Sequence, residues 1–220
     1  RLVQRLAGDE PQARFLAVVG PSGCGKSSVV RAGLVPALRA GALPGSDCWR
    51  VVTFMPGAHP LDELAVALRR ALPLGEVDVL AELSRDARGL LRLVKQSLPD
   101  DPRVEVVLVV DQAEEIFSLV QDEAARRHWL DNLLAAQTDP HSRVRIVISL
   151  RADFFDQPLL DPALADWVRQ CTEVILPLSP EELERAITGP AERVGVMVEP
   201  APIRLPLPIR SRISRLCAIS

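Results

Sequence analysis

Gly20-Pro21-Ser22-Gly23-Cys24-Gly25-Lys26-Ser27 sets glycine, lysine and hydroxyl groups at the spacing Gly-x-x-x-x-Gly-Lys-Ser. Glycine at such positions lets the backbone curl tightly with its N–H groups pointing inward and leaves no space for side chains. Lys26 adds a compact positive charge suited to the β and γ phosphates of a nucleotide, and Ser27 adds a hydroxyl able to ligate Mg²⁺. A helix beginning at about Gly25, with Ser28 in its first turn, would aim the positive end of its dipole at the same point. The chemistry implied by Gly20 to Ser28 is therefore capture of a nucleoside triphosphate, with ATP and Mg²⁺ as the expected cofactors.

A second group lies at the end of the apolar run Val104-Glu105-Val106-Val107-Leu108-Val109-Val110, which closes on Asp111. This is the Walker B arrangement, and a carboxylate at the carboxyl end of a parallel strand stands where open α/β sheets bind ligands. Asp111 is expected to hold Mg²⁺ through water. Gln112 follows, where many P-loop ATPases carry the glutamate that activates water. An amide cannot take that proton, so Glu114 or Glu115 is the next candidate for general base, and hydrolysis is expected to be slow. The competing reading makes both of them ordinary acids in the first turn of a helix. A third group closes the run Arg145-Ile146-Val147-Ile148-Ser149-Leu150 with Arg151-Ala152-Asp153. If that strand is inserted beside the phosphate-loop strand, Ser149 or Arg151 could report on the γ-phosphate, arginine by bidentate hydrogen bonds. The alternative is a surface arginine paired with Asp153.

These groups need a rigid frame. Five short apolar runs qualify as buried strands: Phe15–Val19, Arg50–Met55, Glu105–Val110, Arg145–Leu150 and Glu173–Leu176. Most lack period-two alternation, which predicts a mostly parallel sheet covered by helices on both faces. Leu61, Leu64, Ala65, Leu68 and Leu72 recur at helical spacing, as do Leu130, Leu133 and Leu134 with Trp129. A helix is also expected from Lys26 to Arg39, kinked or shortened by Pro36, and two short helices between Leu74 and Leu98. Ser179-Pro180-Glu181-Glu182 reads as a capping box that starts another. The expected fold is an additional-strand P-loop NTPase over residues 1–199. Pro200, Pro202, Pro206 and Pro208 then mark 200–220 as an irregular tail, truncated or frame-shifted.

Bulk properties narrow the partners. A net charge of -3 lacks the basic excess of a nucleic-acid-binding domain, and no apolar run approaches the length needed to span a bilayer. Cys24, Cys48, Cys171 and Cys217 are far apart and fit a reducing cytosol, hence a cytoplasmic location. His59, His128 and His141 form no metal spacing, and Cys24 reads as a small filler. The chain starts at Arg1 without a signal segment and reads as a piece of a longer protein.

Ser97-Leu98-Pro99-Asp100 stands where an ABC transporter ATPase would carry Leu-Ser-Gly-Gly-Gln, and no Asn-Lys-x-Asp segment is present to read guanine. Phe15–Gly33, Phe54–Leu61, the run Val107 to Phe117 containing Asp111-Gln112-Ala113-Glu114-Glu115, Ile148–Phe154, and Pro177 to Pro190 together resemble the STAND class of signalling ATPases, specifically the bacterial novel STAND NTPase domain. The resemblance covers most of residues 14–199. It implies a switch between ATP-held open and ADP-bound closed forms, self-association, and fused sensor or effector domains. It also implies a helical and winged-helix section after residue 199, where this chain has its proline-rich stretch.

Overall fold

Five strands, β1 (Phe15–Gly20), β2 (Arg50–Phe54), β3 (Val106–Val110), β4 (Val144–Arg151) and β5 (Thr172–Val174), form one sheet in the computed structural model, which describes residues 1–8 and 10–193. Their order across the sheet is β2-β3-β4-β1-β5, and every neighbouring pair is parallel. β4 therefore lies between β1 and β3, the additional-strand arrangement expected from the sequence. Arg1–Pro177 make one compact unit and a second begins at Leu178. The expectation for 200–220 lies outside the described residues.

The helices are α1 (Leu2–Arg5), α2 (Lys26–Ser28), α3 (Val35–Arg39), α4 (Pro60–Ala71), α5 (Val79–Arg85), α6 (Gly89–Ser97), α7 (Glu115–Ser118), α8 (Glu123–Thr138) and α9 (Pro162–Gln170), with α10 (Pro180–Arg193) in the second unit. The absence of alternation in the strands now has its reason. Phe15, Ala17 and Val19 of β1, with Val106, Leu108 and Val110 of β3, face one buried cluster together with α4, α5, α6 and α8. Leu16, Val18, Val107 and Val109 face the other, under Val30, Leu34 and Leu38. Both faces are dry, so successive residues must all be apolar.

Pro36 acts differently from expectation. The helix passes through it to Arg39, but Val29–Leu34 is π-helical. A proline ring clashes with the carbonyl four residues back, and widening the preceding turn removes that clash without a break. α9 carries no expectation above, although Pro162 at its first turn and Leu164, Trp167 and Val168 at helical spacing would have supported one. Trp167 tilts against Phe15 at 6.5 Å. In the second unit the capping box forms reciprocally: the Glu182 N–H donates to Ser179 Oγ at 3.2 Å, and the Ser179 N–H donates to Glu182 Oε2 at 2.8 Å.

Candidate functional site: the phosphate loop and its carboxylate

Two different demands put glycine in the loop between β1 and α2. Gly23 and Gly25 have φ of 76° and 93°, the left-handed region that side chains rarely enter. Gly20 has ordinary φ, but a Cβ there would stand 2.4 Å from the Ile175 carbonyl oxygen and 2.7 Å from Cys24 Sγ. The loop thus turns sharply and also lies against the end of β5. Cys24 is buried and fills that corner, as the filler reading holds.

The loop delivers Lys26 to the top of the sheet. Its side chain is buried to 8% exposure, and Nζ donates to the Gly20 carbonyl at 3.0 Å and the Pro21 carbonyl at 2.9 Å. Ser22, Gly23 and Ser28 are exposed, while Pro21, Gly25 and Ser27 are half-buried. Ser27 Oγ donates to Asp111 Oδ1 at 2.7 Å, joining residues on β3 and the phosphate-loop helix across the tip of β4. Asp111 itself is buried at the end of β3, its N–H bonded to the Phe54 carbonyl.

β4 supplies the piece that holds this carboxylate. Ser149, buried, donates from Oγ to Asp111 Oδ1 at 2.6 Å and accepts the Gln112 N–H at 2.9 Å. Ser149 therefore orients Asp111 rather than facing solvent. Gln112 has φ of 57°, and among the described residues it alone combines positive φ with a side chain. Its amide is turned toward Met55 Sδ, 3.2 Å away.

The two acids after Gln112 part company. Glu114 is buried and its Oε2 accepts the Arg151 N–H at 3.2 Å, placing it between the tips of β3 and β4. Glu115 turns the other way, accepting the Gly57 N–H at 2.9 Å beyond β2. The Arg151 guanidinium is partly exposed and grips Asp153 by two hydrogen bonds, at 3.0 and 2.5 Å. That contact holds the Asp153 carboxyl below its ordinary range and pushes Arg151 upward. The pairing is the alternative raised from the sequence. Arg31, which the sequence reading missed, brings Nη1 to 3.9 Å from Asp111 Oδ2. Its position four residues after Ser27, on the same helix face, was the available signal.

Oxygen donors of this kind suit a hard divalent cation that keeps most of its water. Ser27 and Asp111 converge through Oδ1, and the other carboxylate oxygen, Oδ2, lies toward Arg31. Among the described residues no group of three His, Cys, Asp or Glu side chains could hold a metal by itself. His128 Nε2 instead lies 2.8 Å from the Leu83 carbonyl.

The family model for Novel STAND NTPase 1 matches residues 1–207, nearly the whole chain. This chain belongs to that family. The fold agrees with solved P-loop NTPases. The Aeropyrum pernix ORC2 protein, solved as ADPNP–ADP complexes, superimposes with a TM-score of 0.55 at 14% identity, covering 87% of this chain and 48% of that one. Its ADP form gives a TM-score of 0.51 at 13% identity over 82% of this chain and 46% of that one. At that identity the likeness speaks to fold alone, and this chain spans about half the length of those it matches. No curated protein matches the sequence closely enough to add a relative. This member of the Novel STAND NTPase 1 family is thus a nucleotide-binding P-loop module, and none of its described helices is long and apolar enough to cross a membrane.

Proposed function

We propose that this STAND module is a cytoplasmic signalling switch that binds ATP with Mg²⁺, hydrolyses it slowly, and works within a larger protein through self-association or fused sensor and effector domains. The observation that carries the reading is the 2.7 Å hydrogen bond between Ser27 and Asp111, which unites the phosphate loop and the strand-end carboxylate at one point. The family match supports the switch, and the free Cys24, Cys48 and Cys171 support a reducing compartment.

In this reading the loop amides and Lys26 neutralise the triphosphate, with Lys26 exchanging its carbonyl partners for phosphate oxygens. Ser27 and Asp111 hold Mg²⁺, which supplies charge neutralisation along the phosphate chain. Glu114 is the base better placed than Glu115: it lies on the β4 side, toward the phosphate loop, whereas Glu115 is committed to Gly57. A water attacks the γ-phosphorus, the bond to the β-bridging oxygen breaks, and Glu114 takes the water's proton. Arg151 reaches the γ-phosphate only by leaving Asp153. Gln112 offers no base, and Glu114 is buried and already engaged, so turnover is slow.

Replacing Lys26 with alanine is the primary test. Binding of a fluorescent ATP analogue should disappear from a variant that keeps its far-ultraviolet circular dichroism, and retained affinity would remove the assignment of the loop. Single-turnover hydrolysis should fall by about a hundredfold or more in Glu114→Gln and by much less in Glu115→Gln. A non-hydrolysing scaffold is the second reading, favoured by the Gln112 amide turning to Met55. Tight nucleotide binding with no turnover at all would select it.

A further inference from the structure

β2 is the edge of the sheet among the described residues. Its bonds to β3 run from the Arg50 N–H to the Glu105 carbonyl and from the Asp111 N–H to the Phe54 carbonyl. Backbone groups alternate sides along a strand, so those of Val51, Thr53 and Met55 point outward. A groove of about 760 Å³ runs along this edge, walled by Arg31 and Arg39 on one side and by α4 on the other. Met55 and Val66 are 48% and 46% exposed in it.

The groove is polar along its length. Helices in a parallel α/β fold run opposite to the strands, so the last turns of α3 and α4 bring Arg39 and Arg70 to the end where β2 begins. Neither arginine has an ion-pair or hydrogen-bond partner among the described residues. The opposite end carries three carboxylates, Glu63 from the first turn of α4, Glu115 and Asp111. Against them stands the one cation Arg31, which lies beside Asp111, so this end is acidic on balance. Glu63, Val66 and Arg70 follow at three- and four-residue spacing, which makes one stripe along α4 facing the open edge.

We infer that this edge is a two-fold interface with a second copy of the chain, in which two β2 strands pair antiparallel about Thr53. An antiparallel copy reverses the polarity of the groove, so each basic end meets an acidic end. On α4 the two-fold axis sets Val66 against its own counterpart, and Glu63 and Arg70 against the partner's Arg70 and Glu63. The interface is isologous and self-complementary. A parallel copy would oppose like charges, and the stretch after Glu199, with Arg204, Arg210, Arg212 and Arg215 and no acid, could complement only one end. This surface gives the proposed self-association a location and rests on that part of the proposed function. Its upper end reaches Asp111, but Thr53, Glu63, Val66 and Arg70 lie outside the phosphate loop and can be tested without touching it.

Charge reversal provides the test, read by sedimentation velocity of the full chain at up to about 0.1 mM. The chain should sediment as a dimer. Glu63→Arg and Arg70→Glu should each weaken the dimer by about tenfold or more through like-charge contact, and the double swap Glu63→Arg/Arg70→Glu should restore it. Thr53→Pro, which removes an outward N–H, should also weaken it. Binding of the fluorescent ATP analogue should survive in all of these variants, showing that they are folded. A monomer throughout, a dimer indifferent to the single reversals, or no recovery in the double swap would each overturn the interface while leaving the nucleotide reading standing.

Discussion

Gln112 illustrates what a single residue pays at a functional site. Its φ of 57° goes with an N–H that donates to the Ser149 hydroxyl, the same hydroxyl that donates to Asp111 beside it. A left-handed conformation is costly for any residue with a Cβ. Gln112→Gly should therefore raise stability by about 0.5–1 kcal/mol in urea unfolding, and a loss of stability would show that the Met55 contact outweighs the strain. Residue types in the loop were legible because they answer local demands: Gly23 and Gly25 need positive φ, and Lys26 needs a phosphate or a carbonyl. The division of labour between Glu114 and Glu115 was not legible. Adjacent acids are equivalent in sequence, and only the partners Arg151 and Gly57, brought by β4 and β2, tell them apart.

Between elements, the end of β1 lies close against the residue after β5. A Cβ on Gly20 would overlap the Ile175 carbonyl oxygen, which is backbone and cannot rotate away. Gly20→Ala should cost about 1–3 kcal/mol in thermal or urea unfolding and weaken nucleotide binding, because the phosphate loop must shift to make room. A neutral effect on both would mean that β5 yields freely. The loop before β3 makes a pH-dependent contact of a milder kind. The Arg103 guanidinium and N–H hold the half-buried Asp101 carboxyl at about 2, below its ordinary 3.8. A depressed folded value stabilises the fold above the unfolded value, and that contribution is lost as pH falls from about 4 through 2. Titration of the Asp101 side-chain carboxyl by NMR should give a midpoint near 2 that rises with salt, and a midpoint near 4 would show that the pair does not form in solution.

At the scale of the whole first unit, Arg145 ties the N-terminal segment to the base of the sheet. It is 3% exposed, pairs with Glu105 through two hydrogen bonds, donates to the carbonyls of Leu6, Gly8 and Ala13, and stacks 4.6 Å over Trp49. Arg1 and Arg5 add a second tether on buried Glu173. Arg145→Met should cost about 3 kcal/mol by leaving Glu105 unpaired, and should expose the first 14 residues to limited proteolysis. An unchanged digestion pattern would show that the N-terminal segment is held by its apolar contacts alone. By sequence Arg145 is only the polar start of an apolar run, and its reach to carbonyls 132 and more positions earlier could not be read there. The sequence by itself determined the phosphate loop, the strand-end carboxylate and the identity of the strands, because each is written in neighbouring residues: φ demands, charge type, and unbroken runs buried on both faces. Only the tertiary structure decided that Ser149 clamps Asp111, that Glu114 rather than Glu115 faces β4, and that β2 is the edge strand among the described residues, beside a groove with charged walls. Those outcomes depend on strand order, which sets partners across 37 or more positions of chain and leaves no local mark.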